Sequence, residues 1–350
     1  MVNSVRYVTD TTAVLIHTLE NRRYLTGFGS SFGYLLMTKN GNKLFVDSRY
    51  FEAASKKAVN TQTVLCVNFL AQLEEELQKQ QVKKLLLEDE ISFSLYSLFK
   101  KSLSAKVAPS APLSKRLLNL RSVKRKEEVE SIVCAQRIAE KAFEEVLGFI
   151  KVGITEKEIA AFIDYKMAVL GSEKPAFETI AVSGANTSMP HGVPTDKKVE
   201  IGDFVTMDFG ATVNGYKSDM TRTVAVGFAS DEMKKVYETV LKAQENVIKT
   251  VKAGLICKDA DAAARDIITA AGFGNNFGHG TGHGVGLAIH EKPTLSPLAK
   301  NEKLREGQIV TDEPGIYIPE KFGVRIEDML YVRKNGCKNL TKAPKQLIIL

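Results

Sequence analysis

Residues 207–220 read MDFGATVNGYKSDM. The central Asn214-Gly215 pair is the strongest short-range signal for a two-residue type I′ hairpin turn. Such a turn pairs Val213 with Tyr216, Ala211 with Ser218 and Phe209 with Met220, and it sets Asp219 opposite Gly210. Side chains alternate along a strand, so Asp208 and Asp219 share one face as diagonal neighbours, roughly 7–8 Å apart at their Cα atoms. Two carboxylates that face each other repel unless a cation or a proton lies between them. The flanking runs VTMDFG and SDMTRTVAV are too apolar for both acids to point comfortably into solvent. The hairpin therefore raises the expectation of a metal site.

Other acids strengthen it. TDEPGIYI (311–318) sets Glu313 at the end of a strand, and GVRIEDMLYV (323–332) sets Glu327 inside an apolar strand with Arg325 on the same face. An acid in a β-branched run is costly to bury without a partner. An ion pair with Arg325 would account for one such acid. It would not account for two aspartates, two glutamates and a histidine cluster together. The chain has five histidines, and three of them, His279, His283 and His290, fall in FGHGTGHGVGLAIHE (277–291). The glycines of that run are expected to let the backbone pass close to ions and peptide. A mostly oxygen ligand set with one imidazole suits a pair of Mn, Fe, Co or Zn ions, the carboxylates favouring the harder metals.

At 350 residues the chain exceeds the usual single-domain size, and two domains are expected. Hydrophobic residues at 44% and charged residues at 25% are those of an ordinary soluble protein rather than a disordered one. The N-terminus lacks the pattern of a signal peptide, and no run approaches the roughly 18 apolar residues of a membrane span. Cys66, Cys134, Cys257 and Cys337 form no CxxC pair, which argues against a thiolate zinc site and a disulfide scaffold. A cytoplasmic setting is expected. The net charge of +7 reads as a lysine-rich solvated surface. The densest basic run, RSVKRKEEVE (121–130), passes at once into acids as on a solvated helix, so neither a nucleic acid nor a membrane is expected as partner.

Residues 1–120 read as an α/β layered domain. AVLIH, YLLMT and KLFVDSRY are its candidate strands, KKLLLEDE is a further short apolar run, and FEAASKKAV, FLAQLEEELQKQ and ISFSLYSLFKKSL are its candidate helices. It closes near APSAPLSKRLLNLRSVKR (108–125), where Pro and Ser give way to basic residues. Residues 121–350 read as α+β. Helices are expected at 126–150, at 152–171 with a Thr155/Glu158 capping box and a Gly171 stop, at 230–251 capped by Ser230, and at 258–272. The strands between and after them carry the acids.

The motifs MPHGVP, MDFG, SDMTRT, HGTGHGVGLAIHE, EPGIY and VRIEDM resemble, in order and spacing, those of the M24 "pita-bread" metallopeptidases. That group includes Xaa-Pro aminopeptidases, prolidases and methionine aminopeptidases. YLTGFGSSFGYLLMT and LFVDSRY resemble the creatinase-type N-terminal domain of the Xaa-Pro branch. The resemblance implies two divalent ions, Mn first with Co, Zn or Fe as the other choices, held by Asp208, Asp219, His283, Glu313 and Glu327. Asp219 and Glu327 would bridge the pair, which would activate water and polarise the scissile carbonyl. His191, His290 and Glu313 are the implied catalytic groups, the glutamate shuttling the proton to the leaving nitrogen. Tyr317 and Arg325 match supporting positions, and Arg325 would orient a ligand carboxylate. His279 is either a loop residue bonded to backbone or a substrate contact, and His17 is taken as structural or dimer-facing. Asp312 departs from the pattern, since many members carry an apolar residue before the ligand glutamate.

The implied activity is hydrolysis of the bond between an N-terminal residue and proline, as an Xaa-Pro aminopeptidase or dipeptidase, in a homodimer acting on a peptide with proline second. Methionine aminopeptidase-like activity is the first alternative, disfavoured by the N-terminal domain. A non-catalytic pita-bread module that binds peptide or nucleic acid is the second, disfavoured by the full ligand set.

Overall fold

The computed structural model describes residues 7–350, and the chain divides between Arg121 and Ser122 into two compact units. The first is built on β1 (Thr12–Ile16), α1 (Leu19–Thr26), β2 (Tyr34–Thr38), β3 (Gly41–Val46), α2 (Ser48–Lys57) and β4 (Gln62–Leu65). It continues through α3 (Phe69–Lys79), β5 (Lys84–Leu87), α4 (Phe93–Ser102), β6 (Lys106–Pro109) and α5 (Ala111–Ser122). The six strands form one mixed sheet in the order β4-β3-β2-β1-β5-β6. The central β1 pairs antiparallel with β2 and parallel with β5, and its residues 13–16 are buried on both faces. That is why it reads as an unbroken apolar run. Leu73 and Leu77 of α3 and Phe99 of α4 pack on Leu15, Leu36, Phe45 and Leu85. The α/β class expected for this region holds.

The stretch 108–125 is not a plain boundary. Residues 111–122 form α5, with Leu113 and Leu117 one turn apart and both fully buried. Ser110 Oγ accepts from the Leu113 N–H at 3.4 Å and Pro112 sits in the first turn, so a start signal was present. The basic run at 121–130 is a solvated face only in part: Arg125, Lys126, Glu127 and Glu130 are exposed. Arg121 and Lys124 are buried, and Lys124 Nζ lies 3.0 Å from Glu291 Oε2, which is buried as deeply.

The second unit opens with α6 (Lys126–Leu147), α7 (Glu156–Val169), β7 (Ile180–Ser183) and β8 (Phe204–Phe209). The hairpin strands β9 (Thr212–Val213), β10 (Tyr216–Lys217) and β11 (Met220–Ala225) lead into α8 (Asp231–Thr250) and α9 (Cys257–Ala270). Then come β12 (Gly282–Gly284), β13 (Glu291–Leu295), β14 (Ile309–Asp312), β15 (Gly315–Ile318), β16 (Phe322–Arg325), β17 (Asp328–Arg333) and β18 (Gly336–Asn339). The expected caps form: Thr155 and Glu158 make a reciprocal capping box, and Ser230 Oγ accepts from the Met233 N–H at 3.2 Å.

Strands β11-β8-β7 make one sheet and β13-β12-β14-β17-β18 another. Val205, Met207, Phe209 and Val224 of the first sheet pack on α6 and α7 through Ala139, Phe143, Ile159 and Ile163. Val310, Leu330 and Val332 of the second pack on α8 and α9 through Val240, Ala243 and Ala264. Period-two alternation turns Asp208 and Asp219 away from the helix-covered face. The α+β class holds here, with one correction. GVRIEDMLYV is not a single strand. It breaks at Ile326-Glu327, where the chain leaves the β15–β16 hairpin and enters the five-stranded sheet.

Candidate metal centre

The hairpin has the register its turn dictates. Val213 faces Tyr216, Phe209 faces Met220 and Asp208 faces Thr221, with Asn214 at φ 50° and Gly215 at φ 76°. Both central residues thus take the left-handed values a type I′ turn requires. A Cβ on Gly210 would collide with the Ser218 carbonyl, so the residue opposite Asp219 has to be glycine. Asp219 is buried, at 4% exposure, and Asp208 half-buried.

Glu327 sits in the crossing between two sheets. Its N–H donates to the Thr221 carbonyl at 3.1 Å, and its Oε2 accepts from Thr221 Oγ1 at 2.7 Å. Thr221 lies directly opposite Asp208 and two residues along from Asp219, so one threonine fixes Glu327 against the hairpin acids. Arg325 does not pair with Glu327. Its Nη2 donates to Asp208 Oδ2 at 2.7 Å, its Nε to Thr221 Oγ1 at 3.0 Å, and its Nη1 to Tyr317 Oη at 2.8 Å.

His283 in β12 has Nδ1 3.1 Å from its neighbour Gly284's carbonyl, which assigns the proton to Nδ1 and leaves the Nε2 lone pair free. That Nε2 lies 3.3 Å from Glu313 Oε1 and 3.6 Å from Asp219 Oδ2. Burial, with His290 adding, pulls the His283 pKa down to about 4, so the ring is neutral at physiological pH. A neutral lone pair facing two carboxylate oxygens is repulsive without a cation between them.

The acids carry the same strain. Burial, then the charges of Asp208 and Glu313, push the Asp219 carboxyl well above the carboxylate range. Burial, then Asp219, Glu313 and Asp208, do the same to Glu327. Glu313 rises to about 8, again chiefly by burial and despite Arg325. Asp208 Oδ1 is buried with no hydrogen-bond partner. Ligand atoms of Asp219, His283 and Glu327 lie within 4.8 Å of one another. Hard oxygens, one imidazole and a surplus of negative charge fit divalent cations.

These groups line one cavity of about 350 Å³ together with Asp208, Glu313, His191 and His290. The His283 and His290 rings stand edge to face, 4.3 Å apart. Burial, then His191, lowers the His290 pKa. His279 is not on the cavity wall. Its Nε2 lies 2.9 Å from Tyr317 Oη and its Nδ1 2.8 Å from the Gly280 carbonyl. It closes a chain running from Asp208 through Arg325 and Tyr317, and burial lowers its pKa to about 4. Apolar walls come from Phe177, Ile180, Val193 and Ile289, which sequence reasoning missed. They bear no reactive group; the antiparallel pairing of Ile180 with Asp208 brings Phe177 and Ile180 to the site, while Val193 and Ile289 come with the segments of His191 and His290.

A Cβ on Gly282 would strike the Thr311 carbonyl, and one on Gly284 the Lys292 carbonyl. These two glycines make room for the strands on either side of β12. His17, far from this site in sequence, has its Nδ1 3.0 Å from Glu88 Oε2 in the first unit.

Residues 130–334 match the family described as metallopeptidase family M24. The chain belongs to metallopeptidase family M24. Residues 9–123 match the creatinase/prolidase N-terminal domain, so the enzyme joins that α/β unit to a pita-bread catalytic unit. The M24 chain is 38% identical over 337 residues to the Xaa-Pro dipeptidase of Pyrococcus horikoshii, covering 96% of this chain and 94% of that protein. Among solved structures it is similar to the Xaa-Pro dipeptidase from Bacillus anthracis, at 40% identity and TM-score 0.95, covering 100% of this chain and 99% of that one. It is also similar to the X-Pro aminopeptidase from Thermotoga maritima, at 38% identity and TM-score 0.91, covering 97% and 96%. M24 peptidases depend on a dinuclear metal centre. No helix among the described residues is long and apolar enough to cross a membrane.

Proposed function

We propose that this peptidase hydrolyses the bond between an N-terminal residue and a following proline, with Xaa-Pro dipeptides as its first substrates. The carrying observation is the convergence of Asp208, Asp219, His283, Glu313 and Glu327 on one cavity, with the Arg325 guanidinium bonded to Asp208. These five are the proposed ligands of two divalent ions, manganese first and cobalt, zinc or iron as substitutes. Bound there, the ions would supply Lewis acidity towards the scissile carbonyl and an activated water. The choice of substrate is supported by the whole-length likeness, N-terminal unit included, to proteins named for Xaa-Pro cleavage. A cavity of about 350 Å³ suits a short peptide.

Within the site, Glu313 takes the proton of the attacking water and gives it to the proline nitrogen, which has no N–H of its own. Thr311 Oγ1, 3.2 Å from Glu313 Oε1, holds that carboxylate in place. His191 and His290 donate hydrogen bonds to the substrate carbonyl and to the charge that develops on it. Arg325 keeps Asp208 oriented, and Tyr317 joins Arg325 to His279 in support behind the wall. The enzyme acts in the cytoplasm as a homodimer. Its four free cysteines fit a reducing compartment, and the dimer rests on the family resemblance.

Steady-state kinetics on Ala-Pro, Ala-Pro-Ala and Met-Ala test this reading. Turnover of Ala-Pro with little of Met-Ala is the expected result, and the tripeptide separates dipeptidase from aminopeptidase. Preference for Met-Ala would contradict it and favour the methionine aminopeptidase alternative.

A further inference from the structure

Of the proposed catalytic groups, Glu313 is held by Thr311 and the His290 ring lies against His283, whereas His191 has neither kind of neighbour among the described residues. Among the described residues no hydrogen bond holds its ring, so its place is set by the backbone of its loop, residues 184–194. That loop is tied on its inner side at two points. Thr187 Oγ1 accepts from the Gly323 N–H at 2.8 Å, and the Pro190 carbonyl accepts from Arg325 Nη1 at 3.2 Å. Its two feet are joined elsewhere, by an acid that takes no part in the chemistry above.

That acid is Glu156, the first residue of α7, which is fully buried. Its Oε1 accepts from the Ser183 N–H at 2.6 Å, Ser183 Oγ at 3.1 Å and Asn186 Nδ2 at 3.0 Å. Its Oε2 accepts from the Thr195 N–H at 2.9 Å and Thr195 Oγ1 at 2.7 Å. One oxygen thus holds the entry of the loop and the other its exit. The backbone of the same helical turn adds two bonds, from the Glu156 N–H to the Lys197 carbonyl at 3.1 Å and from the Lys157 N–H to the Thr195 carbonyl at 3.2 Å. The otherwise orphaned first N–H groups of α7 bond to the segment that leaves the loop.

We propose that Glu156 is the positioning residue of His191, clasping both ends of its loop so that the imidazole stands at the cavity. The proposal rests on the reading of His191 as a group that touches substrate. The residue type follows from the donor count. An ionised carboxylate accepts at about four lone-pair sites and donates nothing, whereas a glutamine amide has one acceptor oxygen and presents N–H groups in place of the other. Glu156→Gln keeps the volume but sets an amide nitrogen against the donors of one foot. Aspartate, a methylene shorter, cannot span both. A slackened loop moves His191 by a fraction of its ring width, and misplacement on the scale of 1 Å is enough to slow a reaction by about 100-fold.

A double-mutant cycle on the full-length, metal-loaded enzyme tests this, with Glu156→Gln, His191→Ala and the pair compared on Ala-Pro. Metal content and thermal midpoint are measured for each. Glu156→Gln is expected to lower kcat/KM by about 10- to 100-fold in the native background and by less than about 2-fold when His191 is already gone, with metal content unchanged. Thr195→Val, which removes one side-chain donor to Glu156 and with it the acceptor of the Lys197 N–H, should give a smaller loss with the same dependence on His191, and it decides the matter if Glu156→Gln does not fold. Equal losses with and without His191 would show that Glu156 serves the fold alone and would overturn the proposal. A His191→Ala enzyme with native kcat/KM would instead overturn the reading of His191, and the proposal with it.

Discussion

Asp312 and Glu313 are adjacent in sequence and face opposite sides of their strand. Glu313 turns to the cavity, while Asp312 lies opposite Asp328 on the face packed against α8. Asp312 is fully buried and neither of its carboxylate oxygens has a hydrogen-bond partner. The Gln244 amide, which lies nearby, donates to Asp328 Oδ2 at 2.9 Å instead. Burial first, and Asp328 second, drive the Asp312 carboxyl well above the usual range. The departure was visible in the sequence, but its consequence was not, because the side a residue faces depends on a register set by distant strands. An unsatisfied buried polar group costs about 1–3 kcal/mol. Asp312→Val is therefore expected to raise stability by about that much, read as a higher urea midpoint at unchanged m. A lower midpoint would show that Asp312 is paid for by contacts in the native state.

Among elements, α1 depends on an acid from outside itself. Its N-cap Thr18 makes no side-chain bond to the helix, and Glu88, just after β5, holds the turn instead. Glu88 accepts from the His17 N–H at 2.6 Å, the Thr18 N–H at 3.0 Å, Thr18 Oγ1 at 2.6 Å and Asn21 Nδ2 at 2.5 Å. Burial alone would raise the Glu88 carboxyl, but the bonds from His17, Thr18 and Asn21 outweigh it and hold the pKa down to about 2. A depressed carboxyl stabilises the fold above its unfolded pKa near 4.5, and that contribution drains away as pH falls towards 2. The shift corresponds to about 3 kcal/mol at neutral pH. Glu88→Gln should cost α1 most of this at pH 7 and less than roughly half as much at pH 3, followed by hydrogen exchange of the α1 amides. A difference independent of pH would contradict it. The contrast with the hairpin explains what the sequence could reveal. Asn214-Gly215 sets the register of Asp208 and Asp219 from within six residues, whereas α1 and Glu88 meet across some seventy residues. Glu327 is legible as a buried acid, but its strand break answers to a bond from Thr221, over a hundred positions away.

At the scale of the whole molecule, the second unit gathers its acids from three strand-rich segments, and its imidazoles from strand β12 and two loops, onto one cavity. Motif order along the chain made most of this set legible, since each chemistry-bearing residue sits in a short distinctive run. The apolar walls and the Glu156 clasp carry no such mark and became visible only through contacts. The charge imbalance that results is the physical core of the account: Asp219 and Glu327 pushed up by burial and by neighbouring carboxylates, a neutral His283 facing two carboxylates, and one orphaned oxygen on Asp208. Divalent ions relieve all three at once. The most direct test is to strip the enzyme of metal exhaustively, add back Mn or Co in measured steps, and follow Ala-Pro hydrolysis against bound metal, with Asp219→Ala in parallel. The account predicts no hydrolysis in the stripped enzyme, recovery that rises with occupancy to two ions per chain, and none in Asp219→Ala at any metal level. Native turnover in the stripped enzyme, or in Asp219→Ala, would contradict it.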